Sequence, residues 1–185
     1  MKHEIKHNKN SGFTIVETIV SLAIFSFSIV GLITVSARGI SDSSMAKNRL
    51  TATYLAQEGL ELVRNKRDTA IIADSANGWL NFQDSTHDCD PGQGGCDIDP
   101  INEAVYKCST GSCIIQEVTD TGYYGHVPVD VSSTNTIFKR VITLEEPGDW
   151  GGNTKDEYQM TVTVTWTQGI SPQSVKLVEN IYNWQ

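Results

Sequence analysis

Between Phe13 and Ala37 the chain reads FTIVETIVSLAIFSFSIVGLITVSA, 25 residues with a single charge, Glu17. Residues 18–37 carry no charge at all. About 20 apolar residues in a helix span about 30 Å, the thickness of a bilayer's hydrocarbon core. A lone segment in lipid must satisfy its own backbone hydrogen bonds, so the β-branched residues here do not argue against a helix. Gly31 and the serines suit close approach between such helices. No second run in the 185 residues is long enough to cross a membrane, which excludes a multi-span protein. With 39% hydrophobic residues and only 5 Pro beside 15 Gly, the chain is neither disordered nor collagenous.

Charge is spread unevenly around this run. Residues 1–12 set Lys2, Lys6 and Lys9 against Glu4, a net of +2. Residues 38–67 carry six bases against three acids, a net of +3. Residues 68–185 carry 17 acids against 5 bases, a net of −12 within a total of −8. An acidic distal part argues against a nucleic-acid partner, whose phosphates are bound chiefly by Lys and Arg. The basic leader favours a cytoplasmic N-terminus. The bases at 38–67 oppose that orientation mildly, but Arg64, Lys66 and Arg67 would lie roughly 40 Å beyond the membrane in a helix.

Three readings of the N-terminus compete. An ordinary secretory signal would end near Val35-Ser36-Ala37, but the apolar run exceeds the usual h-region and leaves Glu17 without a reason. A plain membrane anchor is the second reading. The third uses Gly12, Phe13 and Glu17 together. Ser11-Gly12-Phe13-Thr14-Ile15-Val16-Glu17, running into the apolar stretch, resembles the class III signal of type IV pilins and type II secretion pseudopilins. Four features coincide: a basic leader, the Gly-Phe junction, a glutamate five residues beyond it, and an apolar run that begins at the junction. The resemblance implies cleavage after Gly12 by a membrane-embedded prepilin peptidase on the cytoplasmic side. It also implies methylation of the new N-terminus at Phe13. Glu17 would then pair with the free amine of a neighbouring subunit, cancelling two charges in lipid during assembly. A carboxylate at that depth is costly unless paired. Without the resemblance, Glu17 is a tolerated acid near a membrane edge.

Residues 41–66 place Met45, Ala52, Leu55, Ala56, Leu60, Leu62 and Val63 at spacings dominated by three and four, the pattern of an amphipathic helix. Helix formers abound and Pro is absent. Asp42 and its neighbouring serines allow a fresh helix start, but one helix from the membrane to about Arg64 is expected. Gly59 costs about 1 kcal/mol in mid-helix; either it permits close packing against a sheet or it has no role, and the sequence does not separate the two. The turn Tyr54–Asn65 is similar to minor pilins and minor pseudopilins, as is the pattern of strands near the C-terminus.

The segment 68–136 reads as loops and short strands, with apolar pieces such as Trp79-Leu80 and Ile114-Ile115. Beyond it come three strand-like runs, Ile137–Leu144, Tyr158–Trp166 and Ser174–Tyr182. In the second, Met, Val, Val and Trp alternate with Thr. Gly148–Asn153 and Gln168–Pro172 are turn-like. Three consecutive strands suggest an antiparallel meander, and the amphipathic stem is the element available to cover its apolar face.

Cys89, Cys96, Cys108 and Cys113 all fall in the loop-rich segment. Four cysteines allow three pairings. Cys89–Cys96 with Cys108–Cys113, closing small glycine-rich loops, is the favoured one, and it suits an extracytoplasmic compartment. A four-thiolate zinc site is the alternative, although the spacings lack the C-x2-C knuckles of most such sites. Asp84, Asp88, Asp90, Asp97 and Asp99 supply oxygens that calcium accepts, but not the order of an EF-hand loop. Solvated acids on a loop are the plainer reading. His3 and His7 lie in the leader; His87 is isolated, and His126 beside Tyr123, Tyr124 and Pro128 reads as a packed loop. No phosphate-binding Gly loop, zinc-protease motif or catalytic triad can be argued from spacing.

The expected architecture is α+β and pilin-like, a long N-terminal helix packed on a C-terminal antiparallel meander. Its parts are a leader (1–12), a transmembrane and assembly helix (13–37), an amphipathic stem (38–67) and an extracytoplasmic β-rich domain (68–185). The expected role is structural and non-enzymatic, without cofactor or metal. The chain would be a subunit, and by the minor-pilin likeness a minor one, of a pilus or pseudopilus. The resemblance implies as partners other pilin or pseudopilin subunits, the prepilin peptidase, an inner-membrane assembly platform and membrane lipid. The rivals are an extracytoplasmic binding domain that never assembles and a secreted enzyme with a scattered site.

Overall fold

A computed structural model describes residues 12–108, 113–119, 121–126, 132–146 and 156–184. The leader up to Ser11, Pro128 and the turn at 148–153 lie outside the described residues. The chain divides into two compact units, residues 1–45 and 46–185.

One helix, α1 (Ile15–Ala73, 59 residues), runs through both units. In the first unit every described residue from Gly12 to Met45 is exposed, including Ile15, Ile19, Leu22, Phe25, Phe27 and Leu32. This stretch is long and apolar enough to cross a membrane. Four of its hydroxyls bond backbone carbonyls within the helix. Thr18 donates to Ile15 O (2.7 Å), Ser26 to Leu22 O (2.8 Å), Ser28 to Ile24 O (2.9 Å) and Thr34 to Val30 O (2.9 Å). That back-bonding leaves few polar groups in need of water, which is the condition for sitting in lipid.

In the second unit α1 buries Ala52, Leu55, Ala56, Gly59, Val63 and Ile71 on one stripe. Met45, read as part of that stripe, is exposed. The helix extends past the expected end near Arg64 because Ala70 and Ile71 still reach the core. Asp74 ends it: its carboxylate accepts from the backbone N–H of Ala76 (3.0 Å) and Asn77 (3.2 Å), an alternative to continued helical bonding. A short helix α2 (Gly78–Ser85) follows and buries Trp79 and Phe82. Sequence reading left this piece among loops, since two turns are too few to display a period.

Among the described residues the sheet has seven strands, and every pairing is antiparallel. They are β1 (Cys96–Ile98), β2 (Val105–Lys107), β3 (Ile114–Val118), β4 (Tyr124–Gly125), β5 (Ser133–Glu145), β6 (Glu157–Gln168) and β7 (Ser171–Tyr182). Strand β5 is central. One edge pairs with β6, which pairs with β7; the other takes β3 and β1. The meander β5-β6-β7 and the helix that covers it give the α+β, pilin-like architecture.

Strand alternation sets the core. Met160, Val162, Val164 and Trp166 on β6 are buried while the intervening threonines are not. Each such side chain contributes about 1.5–3 kcal/mol of burial. Gly59 lies where α1 crosses this face. A Cβ there would sit 2.9 Å from Val162 Cγ1 and 3.2 Å from Arg140 Cδ, so the absent side chain permits the contact. The β6–β7 hairpin turns through Gly169-Ile170, with Gly169 at φ 62°. Gly first in a two-residue loop is the arrangement of a II′ turn, whose twist matches that of the strands.

Candidate functional site

Two groups of polar residues stand out, one in each unit. The first is the start of α1. Thr14 precedes the helix, and its Oγ1 accepts from Glu17 N (3.2 Å). Thr-x-x-Glu is the sequence of a capping box, so the local chemistry starts a helix here. Phe13 just before it is 82% exposed. Glu17 is the acid of the first turn, where the helix dipole favours negative charge. Its carboxylate has no ion-pair partner among the described residues.

The second group is buried in the distal unit. Arg140 on β5 is fully buried. Its Nε donates to Asp97 Oδ1 (2.6 Å), and Nη1 to Glu58 Oε2 (2.7 Å) and Leu55 O (3.3 Å). Nη2 donates to Ile98 O (3.0 Å). Burial alone would lower the Arg140 pKa, but attraction to Asp97 and then Glu58 outweighs it, and the net shift is upward. The guanidinium therefore ties α1 to β1 and β5 through one charge. His126 completes the set, with Nε2 2.9 Å from Asp97 Oδ2. The approach is close without the alignment of a hydrogen bond, and neither atom has a hydrogen-bond partner among the described residues. The His126 ring stacks on Tyr106 at 4.8 Å. Tyr123 donates to Asp99 Oδ1 (3.2 Å); burial first, then the Asp99 charge, pushes its pKa up.

The acids read together in sequence separate here. Asp97 and Asp99 are buried and engaged, not solvated on a loop as expected. Asp88 lies 3.8 Å from Lys107. Among the described residues no group of three or more His, Cys, Asp or Glu is placed to hold a metal ion. Cys89–Cys96 and Cys108–Cys113 are disulfide-bonded, which leaves no thiolate for zinc. His87 contacts Gln93, and His126 is the packed residue just described; His3 and His7 lie outside the described residues.

Sequence reading missed the Arg140 cluster, although a signal was present. Phe138, Arg140, Ile142 and Leu144 share one phase of β5, and all four are buried. A charge in step with three large hydrophobes predicts a buried ion pair, because no lone charge is tolerated there.

Residues 7–33 match the family described as the prokaryotic N-terminal methylation motif. The match supports a type IV pilin-like family. It covers the leader end, the Gly12-Phe13 junction, Glu17 and most of the exposed apolar helix. The motif is of a pilin-type structural kind and not that of an enzyme family. No curated protein and no solved structure gives a significant match to the chain.

Proposed function

We propose that the chain is a structural subunit, of the minor class, of a type IV pilus or pseudopilus. Prepilin peptidase cuts after Gly12 and the new N-terminal Phe13 is methylated. Residues 13–37 hold the subunit in the membrane, with the leader cytoplasmic and residues 68–185 extracytoplasmic. An inner-membrane assembly platform then moves the subunit from lipid into contact with other pilin or pseudopilin subunits. The cut creates an amine at Phe13, four residues before Glu17. The amine of one subunit and the Glu17 carboxylate of the next neutralise each other, removing the cost of two separate charges in an apolar filament core. The two disulfides suit the oxidising side of the membrane.

One observation carries the reading. The methylation motif coincides with a helix that has no inward face and a carboxylate that has no partner among the described residues. Both needs are met by other copies of such a helix. The test is Glu17→Ala expressed in the native envelope. The expected outcome is unchanged membrane level with loss of the chain from sheared surface filaments or cross-linked pseudopili. Equal recovery of variant and wild type in the assembled fraction would favour an anchored domain that does not assemble.

A further inference from the structure

Contacts along the second unit give the direction of its hairpin relative to its helix. Gly59 of α1 meets Val162 of β6. Further along α1, Arg64 bonds Glu179, which pairs with Met160 (Arg64 Nε to Oε1, 3.0 Å). Arg67 then reaches Tyr182 O (3.5 Å), opposite Glu157, and Trp184 Nε1 reaches Asp68 (3.4 Å). As α1 proceeds toward its C-terminus, its partners move down β6 and on along β7. The β6–β7 turn therefore lies at the other end of the unit, the end at which the chain enters at Ala46. From Val162 to Ile170 the strand advances about 26 Å, whereas Gly59 to Ala46 is about 20 Å of helix. Projected on the helix direction set by those contacts, the turn lies about level with that entry point. Eight residues separate Ala46 from the end of the apolar run at Ala37.

The turn is unusual for this acidic unit. Residues 158–175 contain no charged residue. Ile170 at the tip is as exposed as an isolated residue, at 102%. At the same end of the unit, Lys47 and Arg49 on α1 are exposed. An apolar tip beside basic side chains fits the boundary of a bilayer with anionic headgroups: the tip enters the acyl boundary and the bases stay with the phosphates. A one-residue wedge adds little affinity by itself, but the apolar helix already holds the chain at the surface, so the tip acts at high effective concentration.

We infer that the β6–β7 hairpin tip, through Ile170, docks on the lipid surface before assembly, as a second membrane contact that orients the distal unit. This rests on the proposal that residues 13–37 span the bilayer, so its test reports on both. The four native cysteines are paired, so an introduced thiol is free for a nitroxide label. The full chain would carry Ile170→Cys, Ser26→Cys or Asn183→Cys. Each would be reconstituted in vesicles of phosphatidylethanolamine and phosphatidylglycerol. Collision with oxygen, which concentrates in lipid, is compared with collision with a water-soluble nickel chelate. The expected ratio of oxygen to nickel collisions is highest at position 26, several-fold above position 183 at position 170, and lowest at 183. A label at 170 that matches 183, with 26 still in lipid, overturns the inference alone. A label at 170 shielded from both reagents means that protein covers the tip, and also overturns it. A water-exposed label at 26 overturns the spanning reading and the inference with it.

Discussion

Glu17 and Arg140 are both charges set in apolar sequence, and the chain treats them oppositely. Arg140 meets two carboxylates and two backbone carbonyls, all from its own chain. Glu17 lies on a helix whose neighbouring side chains all point outward, and none of the described residues pairs with its carboxylate. The Arg140 charge is thus matched from within the distal unit. Among the described residues the proximal helix has neither a cover for its apolar surface nor a counter-charge for its acid. In lipid the first need is met by acyl chains. In a filament, by the proposal above, both are met by neighbouring copies.

Removing the arginine is the largest way to break this contrast. Arg140→Met leaves Asp97 buried beside His126 with its main counter-charge gone, and breaking a buried pair by deleting one partner costs about 3–5 kcal/mol. The expected result is a large fall in urea midpoint for the full chain in detergent, followed by tryptophan fluorescence. Pairing it with Asp97→Leu should recover much of that loss. A fall that the second change deepens would mean that Asp97 has other essential partners. Replacing Cys89 and Cys96 by serine should cost about 2–3 kcal/mol, the loop-closure effect of so short a loop, on the same urea scale. A midpoint that does not move would show this loop held by packing alone.

Gly59→Ala tests the crossing of α1 over β6. Overpacking against Val162 costs about 1–3 kcal/mol, and the gain in helix propensity returns about 1. A net loss of about 1 kcal/mol is expected, and it should shrink in a Val162→Ala background, where only the 3.2 Å approach to Arg140 Cδ is left. A smaller effect concerns alkaline pH. Tyr123 and Tyr158 are both held neutral in the fold, chiefly by burial, with pKa raised from the ordinary 10.0. The folded state keeps protons that the unfolded chain releases, so stability falls as pH rises above about 10. A slight fall in Tm through that range is expected, and Tyr123→Phe should reduce it. Smallest of all, Glu17→Ala should leave the urea midpoint of the distal unit unchanged while removing the chain from filaments. A matching drop in both would tie Glu17 to folding and erase the contrast.

Which parts were legible in the sequence follows the same division. The apolar run and the alternation of Met160, Val162, Val164 and Trp166 are local patterns, and each appears in the structure as read. The stripe on α1 was legible at Ala52, Leu55, Ala56 and Val63. Gly59 was ambiguous alone, because its reason is a side chain 103 positions away on β6. Short strands were legible within 68–136, but the limits and pairings of β1 to β4 were not, for a like reason: Cys96 pairs with Ile142, and Gln116 with Asn135. Nothing in the run of aspartates distinguishes the buried Asp97 and Asp99 from the exposed Asp84 and Asp90. The Gly12-Phe13-Glu17 constellation drew its meaning from family resemblance, since spacing alone says only that a helix is capped at Thr14.

The account turns on the proximal helix becoming complete only after processing. The mass of the N-terminal peptide, taken from protein in its native envelope, tests this directly. A peptide that begins at methylated Phe13 is the predicted result. A chain that begins at Met1, or at Arg38 after removal of the whole apolar run, would contradict it, for then no amine forms beside Glu17.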